Sequence, residues 1–151
     1  MNYWLLKTEG SCYSIDHFKK DKKTQWTGVR NYQARNFMIN DMKVGDSVFF
    51  YHSNSDPTGI AGLARVCALA HPDKTAMDSK DEHYDPKATA GKPIWFAVDV
   101  EFVKKFGRII TLAELKKEEE LDGMLLLKRG TRLSVQPVTK KQFEKIMRWQ
   151  L

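Results

Sequence analysis

A chain of 151 residues with 25 Lys and Arg against 19 Asp and Glu carries a formal charge of +6, which favours a polyanionic partner. That length suits a single domain over residues 1–151 that buries roughly 70% of its unfolded surface, so neither a disulfide framework nor a metal knuckle is needed. Cys12 and Cys67 are spaced for neither and are expected to be reduced, buried thiols.

The start MNYWLLKTEG lacks a basic region followed by a long apolar run, and no later stretch is apolar enough to cross a bilayer. No membrane partner is expected, and the protein is read as cytoplasmic, or nuclear in a eukaryote. Tyr3 to Thr8 read as a first strand, with Leu5, Lys7 and Glu9 on one face and Trp4, Leu6 and Thr8 on the other. Lys7 and Glu9 then either pair at the strand end or line a pocket. Ser14 caps a short helix carrying Ile15 and Phe18, which ends in the charge run Lys19 to Lys23, a solvated loop or a phosphate contact.

The stretch from Trp26 to Asn36 concentrates aromatic, guanidinium and amide groups around a turn and a helix start. Gly28 allows close backbone approach, and Asn31 caps a helix to about Met42 whose first N–H groups favour polar or anionic partners. Ala34, Phe37, Met38 and Met42 form its core stripe. Tyr32, Arg35, Asn36 and Ile39 form an opposite face suited to a pocket wall or an interface.

Val44 to Asp46 turn into a strand over Ser47 to Ser53 that is buried on both faces, and Gly59 to Ala70 returns antiparallel to it. His71 to Lys92 is a long irregular excursion, the kind of loop that carries function. Pro93 to Lys105 alternates as another strand. Thr111 opens a helix with a capping box to Glu114, Glu118 to Glu120 form a solvated face, and Gly123 interrupts before Met124 to Leu127. Leu133 to Val138 is a last short strand, and Thr139 caps a closing helix with Phe143, Ile146 and Met147 inward.

Enzyme chemistry finds little support. His52 and Ser53 are adjacent on a strand and point to opposite faces, so they form no dyad. Cys67 and His71 share a face only at roughly 13 Å, beyond hydrogen-bond reach. No HExxH, zinc-deaminase or phosphate-loop pattern occurs, and His83 among Asp81, Glu82 and Asp85 either holds a cation or belongs to a solvated acidic loop. No cofactor, metal or catalytic residue is assigned.

The blocks YWLLKTEG, WTGVRNYQARN, GDSVFFYHS, GIAGLARV, PIWFAVDV and LSVQPV occur in this order over nearly the whole chain and resemble the EVE domain family of the PUA-like superfamily. The resemblance implies an α+β fold, a PUA-like mixed β-barrel surrounded by short helices, with a pocket for a single nucleobase. Carried over by position, it implies Trp26 for stacking or as a pocket wall, with a core position as the alternative, and Val29 and Tyr32 as further walls. Gly28 to Asn31 through their backbone, with the side chains of Asn31 and Ser53, are then readers of the base edge, and Ser134 closes the site. Lys7, Glu9, Arg30, Arg35 and Asn36 are assigned to phosphate contacts or to ordering the pocket. The family commonly has proline after the KTE triplet; Gly10 here implies a looser backbone beyond Glu9.

The resulting expectation is a non-catalytic reader that binds RNA or DNA and takes one flipped, modified base into an aromatic-lined pocket, with basic residues on the flanking phosphates. The alternatives are an enzyme acting on a small molecule or free nucleotide in the same pocket, and a protein-interaction adaptor. Protein partners and oligomeric state are not specified by the sequence.

Overall fold

The computed structural model describes residues 1–10, 12–130 and 133–149. Six strands form one mixed sheet: β1 (Tyr3–Glu9), β2 (Lys23–Trp26), β3 (Ser47–Ser53), β4 (Gly59–Pro72), β5 (Phe96–Thr111) and β6 (Val135–Val138), in the order β2-β5-β4-β3-β1-β6. Only β1 and β3 run parallel; every other pair is antiparallel. The helices are short: α1 (Ile15–Asp21), α2 (Tyr32–Asn36), α3 (Leu112–Lys116) and α4 (Lys140–Arg148).

The alternation of β1 sorts its side chains between two cores. Trp4 and Leu6 join one cluster with residues of all six strands, of α1 and of α2; Leu5 joins a second with Leu115, Leu121, Met124 and Ile146. The sheet curls strongly around the first. Two strands separate β2 from β3, a span of about 14 Å if the sheet were flat, yet Trp26 and Phe50 meet edge to face with centroids 5.6 Å apart. Register shifts along β4 and β5 supply the bend. At Gly62 a Cβ would lie 2.6 Å from Ile15 Cδ1, so glycine is what lets α1 close one end of this core. The result is the PUA-like α+β architecture, an incompletely closed barrel in which β2 and β6 remain the two edges.

Several elements differ from the sequence reading. β2 starts at Lys23, the last residue of the charge run, and was not expected, because four residues with one inward apolar side chain give no periodic signal. The helix after Asn31 is α-helical only to Asn36 and continues as a π-helical turn over Phe37–Asp41, closed by Met42 N–H on Phe37 O at 3.0 Å. β5 begins later and ends later than its alternation suggests. Ile94, at φ 59°, breaks the extended backbone, and Trp95 is drawn into a small cluster with Ala76 and Ala88. The excursion is therefore folded, with a 3-10 turn at Lys74–Met77 and its own apolar centre. Cys12 is exposed and Cys67 half-buried, since neither lies on a strand face turned to a core.

Candidate functional site

A cavity of about 480 Å³ opens where the two free sheet edges come near each other. Its walls are the end of β1 (Lys7, Thr8, Glu9), Cys12, the turn Trp26 to Val29, Glu82 and His83 from the excursion, and Ser134 ahead of β6. Lys7 N–H donates to Ser134 O at 2.9 Å, which holds that side of the cavity to β1. A second cavity of about 220 Å³ shares Thr8, Trp26 and Thr27 and extends towards Tyr13 and Thr24. Trp26 is 7% exposed and packs on Phe50, so it is part of the core as well as a wall.

The turn after Trp26 is fastened to the excursion by a buried ionic clamp. Arg30 donates to Asp73 Oδ2 at 3.0 Å, to His83 O at 2.8 and 3.0 Å, to Thr75 Oγ1 at 3.2 Å and to Val29 O at 2.9 Å. Asp73, 1% exposed, also accepts from Gly28 N–H and from the Thr75 N–H and hydroxyl. Burial by itself would raise the Asp73 carboxyl, but these donors outweigh it and hold it below the ordinary carboxylate value. Gly28 is required here on two counts. Its φ is +81°, and a Cβ would meet the His83 ring at 2.9 Å. The clamp thus seats His83 against Gly28 and brings Glu82 to the rim.

Of the residues assigned from the sequence, Lys7, Glu9, Trp26, Gly28, Val29 and Ser134 line the cavity together. The Gly28 N–H is engaged by Asp73. Glu9 is held by Asn54 at 3.1 Å and lies 3.7 Å from Cys12 Sγ; no ion pair joins it to Lys7. The half-buried Lys7 ammonium lies 5.9 Å from the centroid of the Tyr51 ring, with its pKa lowered by burial. The backbone beyond Glu9 is tied rather than loose. Gly10 N–H donates to Ser55 Oγ at 3.3 Å, a bond that proline could not make, and the N–H groups of Cys12 and Tyr13 reach Glu9 O.

The other assigned residues lie outside the cavity. Asn31 accepts from Ala34 N–H as an N-cap, and the Ser53 hydroxyl donates to Thr8 O beneath β1. Arg30 belongs to the clamp. Tyr32, Arg35 and Asn36 form a separate surface around Trp95, where the Tyr32 and Trp95 rings stack at 4.9 Å and Arg35 donates to Asn36 Oδ1 and Ile94 O. Sequence reasoning passed over Thr8, Cys12, Thr27 and Glu82 as lining residues and weighed His83 only as a cation ligand. Among the described residues no three His, Cys, Asp or Glu side chains converge as a metal would require. No signal in the sequence pointed to His83: Gly45, Gly123 and Gly130 also have positive φ yet nothing within 4 Å of a Cβ, so a turn glycine does not by itself imply a packed neighbour.

Chemically, the cavity offers an apolar wall at Trp26 and Val29, hydroxyls from Thr8, Thr27 and Ser134, and carboxylates from Glu9 and Glu82 that accept from amino groups. It falls within the size range of small-ligand sites. Among the described residues no helix is long and apolar enough to cross a membrane.

Comparison with known proteins places this geometry among relatives. The EVE domain model matches residues 2–149. Thymocyte nuclear protein 1 of Homo sapiens is 41% identical, the match covering 97% of this chain and 72% of that protein. A crystal structure of a Pseudomonas syringae protein superposes with a TM-score of 0.95 at 43% identity, covering 99% of both chains. The crystal structure of the human THYN1 protein in complex with DNA containing 5-methylcytosine superposes with a TM-score of 0.94 at 39% identity, covering 99% of this chain and 98% of that one.

Proposed function

The chain belongs to the EVE domain family, and on that premise we propose that it is a non-catalytic nucleic-acid reader whose cavity holds one modified base turned out of its strand. The observation that carries this reading is the likeness, over nearly the full length of both chains, to a human protein crystallised with 5-methylcytosine DNA. The cavity supplies what such a base needs. An unstacked ring needs an apolar plane and partners for its edge; Trp26 and Val29 offer the first, while Glu9 or Glu82 would accept from the exocyclic amine of cytosine. Lys7, already partly desolvated, stands at the same opening for a flanking phosphate.

Filling the cavity tests this without removing core. Thr27 is half-buried, so Thr27→Trp should leave the melting temperature close to wild type while abolishing binding of a short DNA with one 5-methylcytosine, followed by fluorescence anisotropy. An RNA strand of the same sequence, run in parallel, identifies the preferred backbone. Unchanged binding by a folded Thr27→Trp protein would contradict the assignment of the cavity.

A further inference from the structure

One surface cluster is left unused by that function. Tyr32 is 59% exposed yet fixed in place, its ring stacked on Trp95 at 4.9 Å with 24° between the planes. Trp95 is itself immobilised by a 2.8 Å hydrogen bond from its Nε1 to Asp85. The Arg35 guanidinium lies 4.8 Å from the Tyr32 ring and 5.9 Å from the Trp95 ring. Had Arg35 covered the outer face of Tyr32, its distance to Trp95 would approach the two spacings combined. The observed 5.9 Å places it beside the stacked pair and off the outer face of Tyr32, in keeping with the high exposure of that residue.

Three of the five Arg35 N–H groups are engaged, two with Asn36 Oδ1 and one with Ile94 O, which leaves two for an anion. The platform also adjoins the cavity. Arg30 lies 5.5 Å from the Trp95 ring and donates to His83 O, and the His83 ring packs on Gly28 at the cavity wall. One guanidinium therefore separates the two places.

We propose that the open face of Tyr32 is a stacking platform for a second, unpaired base of the strand whose neighbouring base occupies the cavity, with Arg35 holding the phosphate beside it; this rests on the base-reading function above. An aromatic plane with a cation at its edge is the arrangement that single strands recognise, and stacking there tolerates any base.

The test uses 5-methyl-2′-deoxycytidine as free nucleoside and single-stranded DNA with one 5-methylcytosine, flanked by normal or abasic positions. Tyr32→Ala should weaken strand binding by about 5- to 100-fold and leave nucleoside binding unchanged, with Tyr32→Phe restoring the loss. Abasic flanks should weaken the wild type by a similar factor and Tyr32→Ala no further. Equal strand affinities of Tyr32→Ala and wild type, with Thr27→Trp still defective, would overturn the platform and leave the cavity standing. Loss in Tyr32→Ala with Thr27→Trp unaffected would uphold the platform as a strand contact and overturn the cavity reading. Absence of any strand binding by the wild type would overturn both.

Discussion

Gly28 and His52 show how much single positions decide. At Gly28 the positive φ and the His83 ring forbid a side chain together, so Gly28→Ala should destabilise the protein by about 1–3 kcal/mol and displace His83, read as a lower melting temperature and a shifted His83 imidazole resonance. A thermally neutral variant with His83 in place would contradict the packing. His52 is buried in the first core, where its Nε2 accepts from Ile15 N–H at 3.1 Å and burial lowers its pKa below the ordinary 6.5, with Asp16 opposing in part. The neutral ring is the one that fits. Above pH 6.5 neither folded nor unfolded chain binds the proton; below it the unfolded chain protonates first, so stability falls until the pH passes the folded pKa. Thermal melts from pH 7 to 5 should show this fall, and His52→Gln should flatten it. At this scale the sequence revealed caps well, because Ser14, Asn31, Thr111 and Thr139 act on near neighbours. It hid the fate of Arg30 and Tyr32, whose partners lie some 40 to 65 residues away.

Among the elements, the excursion after β4 carries the most consequence. It is anchored to the turn after Trp26 through Asp73, whose removal would strand the largely buried Arg30. Asp73→Ala should therefore destabilise the protein by about 3 kcal/mol, the lower end for a broken buried pair because Arg30 retains some contact with water. Amide exchange should quicken first at Thr75, Asp85 and Trp95, and binding should fall with the loss of His83 from the rim. Uniform exchange across the chain would contradict a local clamp. Strand β1 was legible from its alternation, β3 from its β-branched and aromatic content, β4 from its small apolar run, and α4 from the Thr139 cap and its apolar stripe. The order inside the excursion was not, since three apolar residues at 76, 88 and 95 make a cluster without making a period.

For the molecule as a whole, the curl of the sheet is what makes the cavity. Its two edges approach without pairing, and the gap takes contributions from segments as distant as Lys7, Trp26, His83 and Ser134. No local pattern reports such a convergence; the ordered motif blocks implied a common place for Lys7, Trp26 and Ser134, and gave none to His83. The net charge of +6 favours binding whose log K falls linearly with log salt, by about 0.7 for each phosphate of a single strand contacted. Lys22, just before β2, and Lys23, its first residue, are exposed, and replacing both by Gln should make that slope shallower by up to about 1.4. Salt-independent binding would contradict a strand on this surface. The most direct measurement compares, at one fixed salt concentration, the affinities of wild type for two DNA strands that differ only in the methyl group of a single cytosine. The methylated strand should bind more tightly, with the difference lost in Thr27→Trp. Equal affinities for the two strands, or no binding of either at low salt, would contradict a modified-base reader.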